Sequence, residues 1–225
     1  MVAKARTGGA RRLGPRAEKT RLEILSAAEE LFAERGFSDT RLEDVAERVG
    51  VRRAALFYYF RDKRALYEAV VEDVFEGLLA RVRSALAEHP DSLAHAVEAA
   101  VSRWVEYVWE RPSTAHILLR EAMRRDDHSE AFRALARPAL DLLGQLFADG
   151  RRQGVFRPVT ADPFHFASIV GGATVFFVAG MPSLVPDLPF DPLSREQLEA
   201  HRRDVLRVTH RLLGLPGLRL VTESP

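Results

Sequence analysis

The chain has no cysteine, which excludes disulfide staples, thiolate nucleophiles and sulfur-ligated metal. With 225 residues, 47% of them hydrophobic, it can bury a core without such staples. Long hydrophobic runs are missing too: no stretch reaches the roughly 18 apolar residues that span a bilayer. The basic N-terminus has no apolar segment behind it of the kind a secretory leader carries. A soluble, cytoplasmic protein with no membrane partner is therefore expected. There is no internal repeat, no phosphate loop of Walker or Rossmann type, and no nucleophile–base or carboxylate pair. An all-helical enzyme, the competing reading for residues 67–225, thus lacks its machinery. His116, His165 and the Asp126–His128 cluster lack ligand spacing, so no metal or other cofactor is expected.

Net charge is also nearly absent, at +1, but the balance hides an asymmetry. Residues 1–66 carry 15 Lys/Arg against 10 Asp/Glu, and residues 67–225 carry 18 against 22. A basic head on a mildly acidic body suggests a polyanion partner for the head. Residues 1–16, with Gly8, Gly9, Gly14 and Pro15, read as a flexible basic arm, either lying along a DNA minor groove or simply solvated.

Helical signals fill the rest. Ile24, Ala28, Leu31 and Phe32 share one helix face, and Gly36 is placed to stop that helix in the left-handed conformation. Thr40 with Glu43 reads as a capping box opening a second helix, whose buried stripe is Leu42, Val45, Ala46 and Val49. Asp62 can cap a helix running to about Glu88, and Ser92 another that Pro112 stops. Ser113 can cap a third, ending near Arg125. A stretch from Ser129 to Gly154 must kink or restart at Pro138. Asp162-Pro163 opens a helix to about Gly180, and Ser194 with Gln197 opens one that ends before Gly214.

Thr40–Lys63 is the informative segment. Val49-Gly50-Val51 makes a tight corner between two short helices, glycine supplying the backbone freedom and the valines facing inward. The helix from about Arg52 to Tyr59 buries Leu56 and Phe60, and leaves Arg52, Arg53, Ala55, Phe57, Tyr58 and Tyr59 more exposed. A helix face of this size fits the major groove of double-stranded DNA.

Several runs occur in order: Ala27-Ala28-Glu29-Glu30-Leu31-Phe32-Ala33-Glu34-Arg35-Gly36-Phe37, Thr40, Asp44-Val45-Ala46, Val49-Gly50-Val51, Leu56-Phe57-Tyr58-Tyr59-Phe60 and Lys63. Together they resemble the N-terminal domain of the TetR family of transcriptional regulators over residues 20–70. The resemblance implies that Arg52, Arg53 and Ala55 enter the major groove, with either arginine pairing with guanine and the alanine methyl meeting thymine. It implies that Tyr58, Tyr59 and Lys63 grip phosphates, with Arg41 a further backbone contact. Three positions depart from the family pattern: Arg52 stands where Ser or Thr is common, Phe57 where tyrosine is common, and Tyr59 where histidine is common.

The implied architecture is all-α: a flexible arm (1–16), a three-helix helix-turn-helix domain (17–66), and a C-terminal helical body (67–225) for effector binding and dimerisation. The helix 163–180 is apolar nearly all round. With Leu198, Val205, Val208, Leu212 and Leu213 of the last helix it suits either a four-helix homodimer interface or a monomer core. Trp104, Tyr107, Trp109, His116, Met123, Phe147, Phe156 and Phe176 are candidates to line a pocket for a small-molecule effector, or are simply core. The expected function is that of a ligand-responsive repressor on a near-palindromic operator. An activator of the same family and a non-specific DNA binder are the alternatives within DNA-binding proteins.

Overall fold

The computed structural model describes residues 14–123, 129–159 and 162–215, with side chains at 129–131 excepted. The expected arm up to residue 13 and the Asp126–His128 cluster lie outside the described residues. Helix α1 (Pro15–Asp39) begins with proline in its first turn, where the missing N–H costs nothing. Pro15 and Arg16 therefore belong to the helix and not to the arm. Glycine does not end it: Gly36 takes φ 79 and ψ 177, outside the left-handed helical region, and kinks the helix, which continues to Asp39. That conformation is open essentially to glycine alone, and a Cβ there would meet Arg120 Nη1 at 3.1 Å.

Helix α2 (Leu42–Val49) opens without the expected capping box. Its N-cap is Arg41, with no side-chain cap bond. The Thr40 hydroxyl turns back to the end of α1, its proton shared between Gly36 O at 2.7 Å and Leu31 O at 3.1 Å. A buried hydroxyl bonded this way is worth about 1–2 kcal/mol. Thr40→Val, which keeps the shape and removes the donor, is expected to lower the unfolding free energy by that amount, read as a lower urea midpoint with m unchanged.

After the Gly50 corner come α3 (Arg53–Tyr59) and α4 (Lys63–Ala87). Asp62 caps α4 as expected, accepting from Ala65 N at 2.8 Å. The division expected at residue 66 falls inside this unbroken helix. Helix α5 (Leu93–Glu110) is capped by Ser92. Helix α6 (Ser113–Met123) follows, though the Ser113 hydroxyl serves Glu29 of α1 in place of a cap. Helix α7 (Ser129–Arg152) runs through Pro138. Asp162 caps α8 (Pro163–Phe166), which passes through a π-helical turn (Ala167–Gly171) into α9 (Gly172–Ala179). A short α10 (Met181–Leu184) precedes α11 (Arg195–Leu213), capped by Ser194.

One core joins α1, α2, α3, the first half of α4 and Ile117 of α6, centred on Phe32, whose ring meets the Tyr67 edge at 4.8 Å. A second joins α5, α7, the π turn and α11 around Phe147, Phe156 and Phe166. The head is therefore not a separate ball: α4 and α6 carry it on the body. No helix of the described residues is long and apolar enough to cross a membrane.

Candidate nucleic-acid interface and effector cavity

The α2–α3 corner is set by Gly50 in the left-handed conformation, φ 76 and ψ 30, with Val51 N–H donating to Ala46 O at 2.9 Å. Two ion pairs fix α2 on α1: Arg35 Nη1 to Asp44 Oδ2 at 2.6 Å, and Arg48 Nη1 to Glu30 Oε2 at 2.9 Å. With Leu56 and Phe60 buried, α3 presents Arg52, Arg53, Ala54, Phe57 and Tyr58 outward. Ala55 and Tyr59 are half-buried beside that face. Tyr59 follows Leu56 by three residues and so shares its side of the helix, packing on the first core. Ala54, which the sequence reading passed over, sits about 200° round the helix from Leu56.

Arg53 is pre-positioned. Its Nε lies 3.0 Å from Glu43 Oε1, and its guanidinium stands 5.6 Å over the Phe57 ring. Phe57, the departure from tyrosine, thus carries a cation on its face. Tyr58 is exposed, its ring 5.0 Å from that of Tyr59. Arg41 and Arg52 are exposed at the starts of α2 and α3. Lys63 donates to Ser38 O at 2.9 Å and lies 4.7 Å over the Phe37 ring. Burial holds its ammonium below the usual lysine pKa, opposed by Asp39. An ammonium has three donors, so this anchoring leaves protons for a phosphate.

In the body, α4, α5, α7, α8 and the π turn line an apolar cavity of about 220 Å³ that is open to one side. Of the candidate pocket residues, Trp104 lines it. The remaining wall is aliphatic, with Phe166, and was overlooked because leucine and valine at helical spacing look the same whether they face a void or a core. The other candidates stand elsewhere. Tyr107 is buried, donating to Val74 O at 3.0 Å and accepting from Arg111 Nη1 at 2.9 Å. Trp109 donates to Leu193 O at 2.7 Å, tying α5 to the segment before α11. His116 borders a separate recess between α1 and α6, its Nδ1 3.1 Å from Pro112 O. Met123 is exposed at the end of α6, and Phe176 on α9. Phe147 and Phe156 pack against each other in the second core.

Comparison with known proteins agrees with this arrangement. The family model described as bacterial regulatory proteins, tetR family, matches residues 24–70. The model described as the tetracyclin repressor-like C-terminal domain matches residues 94–208. RutR, an HTH-type transcriptional regulator of Escherichia coli, is 30% identical over 166 residues, 72% of this chain and 74% of RutR. NicS, an HTH-type transcriptional repressor of Pseudomonas putida, is 29% identical over 151 residues, 63% of this chain and 68% of NicS. The structure of the transcriptional regulator FadR from Bacillus subtilis in complex with stearoyl-CoA has a similar fold. Its TM-score is 0.68 at 15% identity, covering 87% of this chain and 99% of that one. The chain therefore belongs to the TetR family of bacterial transcriptional regulators.

Proposed function

We propose that the protein is a ligand-responsive repressor that binds a near-palindromic operator as a homodimer. The observation that carries this reading is the span of α4. Lys63 stands at its first turn beside the recognition helix, and Leu78, Leu79, Val82 and Leu86 near its other end line the apolar cavity. Twenty-five residues of unbroken helix make a rod of roughly 37 Å. A ligand that wedges the cavity tilts this rod and moves α3 relative to its copy in the partner. By linkage, such a ligand weakens operator binding by the same free energy with which the operator weakens ligand binding. A repressor among the relatives, NicS, and a fold neighbour bound to stearoyl-CoA support the two halves of the proposal.

Arg52 and Arg53 read bases and Ala55 fits beside them. Tyr58, Tyr59, Lys63 and Arg41 hold the phosphates. Footprinting on DNA upstream of the chain's own gene and its neighbours tests this, a protected near-palindrome being the expected result. Arg53→Ala is expected to cost about 1–3 kcal/mol and to relax preference at one base position. Lys63→Ala is expected to weaken all sequences alike and to reduce the salt slope by about 1. The reverse pattern overturns the assignment, and equal affinity for random DNA overturns operator recognition.

A further inference from the structure

The walls of the cavity are hydrocarbon, from residues such as Leu79, Val82, Val101, Leu143 and Phe166, with one indole, Trp104. The volume of about 220 Å³ exceeds the ~150 Å³ of an apolar cavity that takes up one benzene. By proportion there is room for on the order of nine carbon atoms. Leu86 and Leu146 line this cavity and also a second recess of about 170 Å³. The second recess is different in chemistry: its polar groups are His89, Asp91 and Gln153. The apolar recess and the polar one are therefore neighbours across Leu86 and Leu146, an arrangement suited to a single amphiphilic molecule.

Charge narrows the head group. No lysine or arginine is among the described residues lining either recess. A carboxylate or phosphate would meet the like charge of Asp91 with no lysine or arginine lining the recess beside it. A cationic head would find one exposed carboxylate, an interaction worth little in water. A hydroxyl, amide or ester finds both donors and acceptors in Gln153 and His89.

We infer that the effector is a neutral single-chain amphiphile, its aliphatic tail filling the cavity beside Trp104 and its uncharged hydrogen-bonding head lying at His89 and Gln153. This rests on the ligand-responsive reading above and specifies it further.

The full chain carries two tryptophans, Trp104 and Trp109, so Trp109→Phe leaves Trp104 as the sole indole reporter. The probes are straight-chain alcohols from butanol to tetradecanol, with decanoate and decyltrimethylammonium as charged counterparts, all below their micellar concentrations. The alcohols are expected to shift Trp104 emission, with affinity rising about fourfold per methylene until the cavity is full. Decanoate and the ammonium are expected to bind at least about tenfold more weakly than decanol. Val82→Phe, which narrows the cavity, is expected to move the chain-length limit to shorter alcohols. That shift is one a merely misfolded variant would not give. Absence of alcohol binding, affinity independent of chain length, or decanoate binding as tightly as decanol each overturns the inference. Operator titrations on the same samples separate the two proposals. Alcohol binding that leaves operator affinity unchanged removes the ligand-responsive reading and keeps the ligand class. Operator release by another compound, with no alcohol bound, removes the ligand class alone.

Discussion

Arg111→Met is expected to lower folding stability by roughly 3 kcal/mol and to weaken operator binding with it. Arg111 stands just past α5 and joins four helices. Its Nε donates to Glu29 Oε1 at 2.6 Å and its Nη2 to Glu29 Oε2, a bidentate pair with α1. The same Nη2 reaches Asp73 Oδ2 of α4 at 2.5 Å, and Nη1 reaches the Tyr107 hydroxyl at 2.9 Å. Ser113 of α6 donates to the same Glu29 carboxylate. Burial works against the guanidinium's charge, but hydrogen bonds to Glu29 and Asp73 outweigh it and raise its pKa further above the ordinary arginine value. The arginine is therefore charged wherever the protein is folded.

Removing it strands a carboxylate that is only 5% exposed, and an unpaired buried charge typically costs about 3–5 kcal/mol. The lower end applies because the Arg111 side chain is 27% exposed and water can relax into the gap. Glu29→Leu in the same background is expected to recover most of the loss, because an apolar pair leaves no charge to desolvate. Arg111→Lys is not expected to rescue, since an ammonium cannot fork across both carboxylate oxygens. Urea midpoints for the single and double variants measure the coupling directly. A double variant as unstable as Arg111→Met would show that packing, not charge, sets the loss.

Much of the scaffold was legible because its signals are local. Asp62, Ser92, Asp162 and Ser194 cap the helices they precede in sequence, and Gly50 makes the corner its neighbours require. Local signals failed where a distant group competed for them. Thr40 looks like a cap, yet its hydroxyl is drawn to the carbonyls of Gly36 and Leu31 at the end of the preceding helix. Ser113 looks like a cap, yet a carboxylate 84 residues away accepts its hydrogen bond. Arg111 and Glu29, 82 residues apart, carry no spacing that would pair them before the fold does. In the recognition helix the period correctly buried Leu56 and Phe60, while Ala54 stands more exposed than Ala55. The cavity was the least readable part. Aromatic residues were the natural search image, whereas its wall is made of the same leucines and valines as any core, with Trp104 the one candidate that falls in it.

Ile169→Asp is expected to convert the proposed dimer to a folded monomer and to reduce operator affinity about 10²–10⁴-fold. The segment α8–π turn–α9 has two apolar faces and this chain covers one of them. Phe166, Val170, Thr174 and Val178, spaced by four, are buried on the body. On the other side Phe164 is 58%, Ile169 43% and Phe176 46% exposed. Between them Gly172 and Ala173 are exposed and small, so a partner helix can approach closely. On α11, Val205 and Leu213 of the expected stripe are spent on this chain's own core, leaving Val208 outward.

In the proposed dimer, an isologous pairing of the two exposed faces would bury this surface and would place two recognition helices on successive half-sites. An aspartate at Ile169 would have to be desolvated against its own copy near the two-fold axis, while in the monomer it simply faces water. Light scattering and circular dichroism should therefore report half the mass with helicity retained, and Ile169→Leu should remain dimeric. Each half-site contact survives in the monomer; the loss is the second contact, which in the dimer forms at high effective concentration. A dimer that persists in Ile169→Asp would place the interface on another face, and a wild-type monomer would sever the link between cavity and operator, because a ligand can alter the spacing of two recognition helices only if they are held together.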